Sequence, residues 1–294
     1  MKLHVFGDTG GHAKQLLNGL KTVGVDLENF IIPKDIKILH LGDLIHKGPS
    51  SEYLVALVHL LMEKNPGQWI QLLGNHEYQH IGGPAFWNCQ CTPKMVMMLR
   101  DWVERGTAVT SYGSDDLVPE KLSLSARDTW EPKNSSWVFT HAGVTRNFWR
   151  AQKSIKLASV FAERVNSLTV KQVTQPGKLL FGGPSNYNAG PVWAIGTDEV
   201  FDSWMKTGDV MPPFNQAIGH TTPYSWAHRN WYAGGKTTAF KMFKENSKVN
   251  PEKRMVITKL GEESLLLSLD PGFSLKADIL EQPHLSFTQW GFNS

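Results

Sequence analysis

Several apolar runs of the sequence end in side chains that bind metal ions or carry protons. The run from Trp69 to Leu73 leads into Gly74-Asn75-His76-Glu77, where a carboxamide, an imidazole and a carboxylate follow a glycine. The same order of apolar run, small residue and polar residue leads to five donors: Asp8, Asp43, Asn75, His141 and His220. Oxygen and nitrogen donors without sulfur suit Mn, Fe or Zn. If they converge, one carboxylate can bridge two ions, and such a pair stabilises both oxygens of an in-line displacement at phosphorus.

Strands and helices alternate in the first part of the chain. The apolar spacing predicts strands over 2–6, 36–41 and 69–73, with helices over 13–23 and from Ser50 to the residues before Pro66. Alternation of this kind indicates parallel strands joined by right-handed crossovers. Because ligands of open α/β sheets collect outside the carboxyl ends of the strands, the polar residues are expected at one edge.

The later elements are predicted from the same patterns. Helical spacing occurs over 94–105 and within 151–174, and short strands are expected after His220 over 231–233, 238–243, 255–259 and 265–269. Residues 80–92 are expected to form a surface loop near the site and a possible lid. No internal repeat and no long linker is found, so we expect one domain over 1–294, with a possible surface tail after about residue 275.

Composition excludes several classes of function. The formal charge of +3 is spread without a basic block, so no specific nucleic-acid binding is indicated. No apolar stretch approaches the ~18 residues of a membrane span, and no signal-peptide pattern is found, so we expect a cytoplasmic protein without membrane association. Cys89 and Cys91 are expected to be reduced thiols, since they are too few for a Cys-based zinc site. The sequence does not indicate an oligomeric state.

Five motifs, taken together and in order, resemble the signatures of the calcineurin-like metallophosphoesterases. They are Gly7-Asp8, Gly42-Asp43-Leu44-Ile45-His46-Lys47-Gly48, Gly74-Asn75-His76-Glu77, His141-Ala142-Gly143 and Gly219-His220-Thr221. Within that family they look most like the phosphoprotein phosphatase branch and its bacterial and phage relatives. The resemblance implies an α/β fold, a four-layer α/β/β/α sandwich of two mixed sheets, with a dinuclear metal site at the strand ends.

The resemblance also implies residue roles. Asp43 resembles the bridging ligand and Asp8 a ligand of the first metal, whereas Asn75, His141 and His220 resemble ligands of the second. His76 matches the proton donor to the leaving oxygen, a role that suits imidazole because its pKa lies near neutral pH. The expected cofactors are two divalent ions, Mn²⁺ in the first place, with Fe or Zn as alternatives.

Two departures from the family pattern affect these roles. The family has a histidine where Gly10 stands, so we hypothesise that Gly10-Gly11 lets His12 reach the first metal. The alternative is that His12 caps the helix or contacts phosphate. His46 and Lys47 replace the usual Asp-Arg pair; Lys47 keeps a positive charge for phosphate but loses the bidentate fork. If His46 and His76 were both cationic, each would lower the pKa of the other, which predicts an acid-shifted pH optimum.

The sequence therefore predicts a metal-dependent phosphoesterase that uses a metal-activated hydroxide. A phosphorylated substrate is expected, and the first expectation is a phosphomonoester of the kind that protein serine/threonine phosphatases hydrolyse. One alternative is hydrolysis of dinucleoside polyphosphates or another small phosphodiester. The other is a catalytically impaired binding protein on the same fold.

Overall fold

Two mixed β-sheets form the centre of the molecule. The computed structural model describes residues 1–88, 91–119, 130, 132–206, 210–232, 237–272 and 289–293. The strands in chain order are β1 (Lys2–Phe6), β2 (Ile36–His40), β3 (Trp69–Leu72), β4 (Ala108–Val109), β5 (Ser111–Ser114), β6 (Val118–Pro119), β7 (Trp137–Thr140), β8 (Asn215–Ile218), β9 (Tyr224–Ser225), β10 (Asn230–Trp231), β11 (Ser247–Asn250), β12 (Met255–Leu260), β13 (Ser264–Ser268) and β14 (Gln289–Asn293).

The first sheet has the order β4-β3-β2-β1-β14-β6, and the second has the order β11-β12-β13-β8-β7-β5. Strands β1 to β4 are parallel, and β14 pairs antiparallel with both β1 and β6. In the second sheet β7, β8 and β13 are parallel, whereas β5, β11 and β12 run antiparallel to their neighbours. Strands β9 and β10 form a separate two-stranded ribbon.

Helices cover the sheets. They are α1 (Ala13–Thr22), α2 (Ser51–Lys64), α3 (Asn75–Tyr78), α4 (Pro93–Glu104), α5 (Arg146–Ala151), α6 (Ala158–Asn166), α7 (Val170–Val173), α8 (Lys178–Phe181), α9 (Asp202–Met205) and α10 (Thr238–Glu245), with a π-helix at Gly196–Phe201 before α9. None of the helices in the described ranges is both long and apolar enough to cross a membrane.

The two sheets pack face to face. Alternate side chains of β1 and β2, among them Val5 and Leu39, lie in one cluster with Phe139 and Leu267 of the second sheet. The opposite side chains of the same strands, such as Phe6 and Ile38, belong to a second cluster with the helices. This is the α/β fold of two mixed sheets flanked by helices that the sequence predicts. Successive side chains of a strand point to opposite faces of the sheet, and here both sets are apolar, so one face packs on the other sheet and one on the helices.

The structure differs from the sequence expectations at two elements. Residues Thr238–Glu245 form helix α10, not a strand over 238–243. Thr237 caps this helix by accepting a hydrogen bond from Phe240 N at 3.1 Å, and Phe240 and Phe243 share one face at a spacing of three residues. The apolar residues of this short segment therefore lie at helical spacing and not at the alternate positions of a strand.

The second difference concerns the end of the chain. Residues 289–293 form β14 inside the first sheet, paired with β1 from Lys2 to Phe6, and the side chain of Phe292 is fully buried. They are therefore not part of a surface tail after about residue 275. The remaining residues of the expected tail, 273–288 and 294, lie outside the described part of the chain. A central glycine in Gln289–Asn293 weakens the local strand signal, and the pairing is with the opposite end of the sequence.

Candidate metal centre

Six strands deliver polar residues to one edge of the two sheets. Three belong to the first sheet and three to the second, and within each set the strands are parallel, so their carboxyl ends lie together. The residues that follow β1, β2, β3, β7, β8 and β13 are Asp8, Asp43, Asn75, His141, His220 and Asp270. All five donors predicted from the strand-end motifs thus lie in this region, and Asp270 joins them.

Three electron-pair donors face one another at the middle of this edge. His141 Nδ1 lies 2.9 Å from the carbonyl oxygen of Leu41, so this nitrogen carries the proton and donates it. His141 Nε2 then carries a lone pair, yet it lies 2.9 Å from Asn75 Oδ1 and 3.3 Å from Asp43 Oδ1. Burial lowers the pKa of His141, which disfavours a second proton on the ring. Three buried acceptors at such distances are stabilised by a cation among them, so this donor set fits a metal ion.

A second set of buried donors lies beside the first. Asp8 Oδ2 accepts a hydrogen bond from His220 N at 3.0 Å. Among the described residues, however, neither Asp8 Oδ1 nor His220 Nε2 has a hydrogen-bond partner, although both atoms are buried. Buried polar atoms are normally paired, and an ion is one of the ordinary explanations for an exception. Asp43, His141 and His220 also place one ligand atom each within 4.8 Å of the others.

Repulsion among the buried carboxylates also indicates that cations bind here. Burial, Asp270 and Asp43 together raise the pKa of Asp8 well above its ordinary value. Burial also opposes the charged form of Asp43, but His141, His76 and Lys47 hold the pKa of this carboxyl below its usual range. Carboxylates gathered in a buried space repel one another unless cations compensate them. Divalent ions would provide that compensation.

Glycines allow the carboxylates to approach the backbone. A Cβ on Gly74 would clash with Asp43 Oδ1, and a Cβ on Gly219 would clash with Asp8 Oδ1. The glycines before Asn75 and His220 therefore have a steric cause, because each leaves the space that a neighbouring carboxylate occupies.

Glu77 holds the loop after β2 in place. Its Oε2 accepts hydrogen bonds from Asp43 N at 2.9 Å and Gly74 N at 2.8 Å, and its Oε1 accepts from Leu44 N at 2.9 Å and Ile45 N at 3.3 Å. Glu77 therefore fixes the loop through its carboxylate and is not placed among the metal donors. The same loop has positive φ at Asp43, His46 and Lys47, at 51°, 72° and 60°. Such backbone is costly for residues other than glycine and persists where surrounding contacts enforce it.

His76, His46 and Lys47 form a polar group next to Asp43. His76 Nε2 and Lys47 Nζ each lie 3.6 Å from Asp43 Oδ2. The other ring nitrogen of His76, Nδ1, lies 2.6 Å from His46 Nδ1, so one proton is shared between the two rings. Burial lowers the pKa of His76 to about 3 and that of His46 to about 4. The two imidazoles are therefore neutral at neutral pH.

His12 lies directly before α1. Its Nδ1 lies 3.1 Å from the carbonyl oxygen of Thr9, which places the proton on Nδ1 and the lone pair on Nε2. It makes no side-chain cap for α1. Lys47 packs against the same turn: a Cβ built on Gly10 would lie 3.3 Å from Lys47 Cδ.

Two aromatic residues of the expected 80–92 loop lie over the site; residues 89 and 90 of that loop are outside the described part of the chain. Phe86 and Trp87 pack edge-on against the His76 ring at centroid distances of 4.9 and 5.4 Å. Gln79 fastens this loop, because its Oε1 accepts hydrogen bonds from Phe86 N and Trp87 N and its Nε2 donates to Trp87 O. On the opposite side Trp193 contacts both Phe86 and His220.

Three residues of this region were missed in the sequence. Asp270 was not assigned to the site from the sequence, and neither was His80. Cys91 was expected only to be a reduced thiol. The side chains of His80 and Cys91 both contact His46. The spacing of His76 and His80, four residues apart, was a signal available for His80 because it places both on one face of a helical turn. Cys89 lies outside the described residues.

The fold and the donors at the strand ends define a metal-dependent hydrolase. The model of the calcineurin-like phosphoesterase family matches residues 1–250, and the chain belongs to that family. It is therefore a metal-dependent phosphoesterase, and family membership implies divalent metal ions and a phosphorylated substrate. A comparison with curated protein sequences gives no significant match.

Solved structures that match this chain share little sequence with it. A cold-active protein-tyrosine phosphatase of a psychrophilic Shewanella species is 14% identical with a TM-score of 0.47, over 93% of this chain and 72% of that one. A protein serine/threonine phosphatase from Saccharomyces cerevisiae is 12% identical with a TM-score of 0.45, over 93% and 68%. A metallophosphoesterase from Sphaerobacter thermophilus is 12% identical with a TM-score of 0.42, over 100% and 87%.

Proposed function

We propose that this phosphoesterase hydrolyses phosphomonoesters of the phosphoprotein type with two divalent ions, Mn²⁺ in the first place. The observation that supports it most is the group of facing acceptors formed by His141 Nε2, Asn75 Oδ1 and Asp43 Oδ1. Asp43 is proposed as the bridging ligand. The other proposed ligands are Asp8, His12, Asn75, His141 and His220.

When bound, two such ions activate water and withdraw charge from the phosphoryl oxygens. The chain's own residues would bind and orient the phosphate and supply a proton. Lys47 lies beside Asp43, where its charge can bind a phosphoryl oxygen as a point contact. His76 is proposed to donate a proton to the leaving oxygen, and His46 orients it through the contact between their Nδ1 atoms.

The charge of the site favours an anionic phosphoryl group. Two divalent ions and Lys47 would supply about five positive charges, the carboxylates of Asp8, Asp43 and Asp270 would remove about three, and the attacking hydroxide would remove about one more. The remaining surplus of about one positive charge would attract a phosphoester.

We propose further that residues 1–294 act as one domain and that the 80–92 loop acts as a lid. The packing of Phe86 and Trp87 on His76 supports the lid, because these side chains keep water from the proposed proton donor. The connection of the loop to Gln79 supports a hinge close to α3.

The test is a substrate panel with added manganese. A phosphopeptide, an aryl phosphate and a dinucleoside tetraphosphate are assayed with the unaltered chain, with Asp43→Asn and with Asp116→Asn, an exposed aspartate that serves as the matched control. We expect hydrolysis of the phosphopeptide and the aryl phosphate that Asp43→Asn abolishes and Asp116→Asn preserves. Preference for the tetraphosphate would favour the phosphodiester alternative. Tight manganese binding without hydrolysis of any substrate would favour the binding protein.

Metal analysis of His12→Ala tests the proposed ligand that lies directly before α1. We expect this variant to lose one tightly held ion. Two tightly held ions in His12→Ala would refute the role of His12 as a ligand.

A further inference from the structure

A second cluster of metal-binding side chains lies beside the proposed proton donor. It consists of His46, His80 and Cys91, which come from the loop after β2, the turn after α3 and the residue before the N-cap of α4. His46 Nε2 lies 3.0 Å from His80 Nε2 and 3.3 Å from Cys91 Sγ, and His80 Nε2 lies 3.2 Å from the same sulfur. His46 is buried, and the other two side chains are half-buried. The three atoms form a nearly equilateral triangle.

Hydrogen bonds alone do not satisfy the three atoms of this triangle. An imidazole nitrogen has one position in the ring plane, which holds either a proton or a lone pair, so it makes one good hydrogen bond. Each of the two Nε2 atoms nevertheless has two neighbours in the triangle, and His80 Nε2 has a further neighbour in Gln79 Nε2 at 3.2 Å. The proton of His46 is also required at Nδ1 if it donates to His76. A single cation among the three atoms would satisfy all of them at once.

The distances fit a tetrahedral ion after a small expansion. With zinc–nitrogen distances of about 2.05 Å and zinc–sulfur distances of about 2.3 Å, the edges of a tetrahedral site are about 3.3 Å between nitrogens and about 3.6 Å between nitrogen and sulfur. The observed edges of 3.0, 3.3 and 3.2 Å are a few tenths of an ångström shorter. Small side-chain rotations therefore suffice to admit the ion. Burial, the largest influence in both cases, lowers the pKa of His46 and His80, which leaves both rings neutral.

We propose that His46, His80 and Cys91 form a separate mononuclear site for a thiophilic divalent ion of the Zn²⁺ type. A thiolate with two imidazoles selects such an ion over Mn²⁺ or Mg²⁺, which prefer oxygen. Three protein ligands leave the fourth position to water. The site lies outside the proposed dinuclear centre, and the proposal does not depend on the substrate assigned above.

The proposed ion would also orient the proton donor. Coordination at His46 Nε2 requires the proton of that ring at Nδ1, from which His46 donates to His76 Nδ1 at 2.6 Å. His76 then carries its own proton at Nε2, on the side of Asp43 Oδ2. His46 would hold this histidine as a hydrogen-bond donor, where an aspartate would be an acceptor, and the ion would fix the direction of the hydrogen bond.

Cobalt titration tests the site without relying on activity. Co²⁺ is added to the chelator-treated full chain, and the thiolate-to-cobalt charge-transfer band is recorded. The donors of the proposed dinuclear centre are oxygen and nitrogen, so a sulfur band reports this cluster alone. We expect one equivalent of cobalt to give the band in the unaltered chain. Cys91→Ser should abolish it, whereas Cys89→Ser and Asp43→Asn should keep it.

His80→Ala keeps the sulfur but removes one imidazole, so we expect a cobalt affinity at least about 10-fold weaker. Circular dichroism of each variant confirms that the fold is retained. Three results would overturn the proposal: no sulfur band at saturating cobalt in the folded unaltered chain, a band that persists in Cys91→Ser, or unchanged affinity in His80→Ala. Because Asp43→Asn leaves this cluster intact, failure of the dinuclear centre and failure of this site are distinguishable.

Discussion

Replacement of Glu77 by glutamine tests how the loop that carries Asp43 is held. Each carboxylate oxygen of Glu77 accepts two backbone N–H groups, those of Asp43 and Gly74 at Oε2 and those of Leu44 and Ile45 at Oε1. Glutamine has one acceptor oxygen, so its NH₂ group must face one of these pairs. The side chain is fully buried, and water cannot replace the lost acceptor.

The magnitude follows from the two donors that lose their partner. Burial and the charge of Asp43 raise the pKa of Glu77 to about 7, so the comparison is made at about pH 8, where the carboxylate is charged. A hydrogen bond to a charged group contributes about 1.5–3 kcal/mol, and a buried donor without an acceptor costs about 1–3 kcal/mol. With some relaxation of the loop, we expect Glu77→Gln to lower the free energy of unfolding by about 3 kcal/mol. Glu163→Gln, at an exposed position of α6, is the matched control and should change it by less than about 0.5 kcal/mol.

Urea denaturation in the presence of a chelator measures this difference, because it removes any contribution from bound metal. A loss below about 1 kcal/mol for Glu77→Gln would refute the reasoning. It would mean that the four N–H groups find other partners and that Glu77 does not hold the loop.

Three further predictions concern the site and its surroundings. Gly219→Ala places a Cβ against Asp8 Oδ1, so we expect manganese affinity to fall at least about 10-fold by isothermal titration; unchanged affinity would contradict the steric argument. Burial lowers the pKa of His40 to about 3 from its ordinary 6.5, so the folded state binds fewer protons than the unfolded state between these values. Stability should therefore fall as the pH drops through this window, and His40 contributes up to about 1.4 kcal/mol per pH unit beside the contributions of His46 and His76. In urea denaturation with a chelator, His40→Gln should lower the slope by about that amount, and equal slopes would refute the prediction. Burial lowers the pKa of His76 although the charge of Asp43 opposes the shift, so the protonated form of His76 is lost as the pH rises and we expect an acid-shifted optimum in the pH–rate profile; a rate that climbs through alkaline pH is the contrary result.

The region in which the five donors lie could be predicted from the sequence because one rule describes all their positions. Asp8, Asp43, Asn75, His141 and His220 each follow a buried strand, and parallel strands that share a sheet place their carboxyl ends together. A hydrophobic pattern and a small residue were therefore sufficient to place them in one region.

The parts that were missed depend on long-range geometry. The pairing of β14 with β1 joins opposite ends of the chain, and no local pattern indicates it. The contacts of His80 and Cys91 with His46 depend on the course of the loop after β2, where Lys47 and His46 adopt positive φ. Such backbone is uncommon for residues other than glycine, so sequence patterns do not predict it. Helix α10 was read as a strand because a short segment contains too few apolar positions to distinguish the two periods.

Electron paramagnetic resonance of the manganese-loaded chain tests the central claim most directly, because two Mn²⁺ ions that share a bridging carboxylate are magnetically coupled. We expect the unaltered chain to bind two manganese ions with a coupled spectrum and Asp43→Asn to lose that coupling. A chain that never binds more than one manganese ion, or an Asp43→Asn variant with an unchanged coupled spectrum, would contradict a dinuclear centre bridged by Asp43.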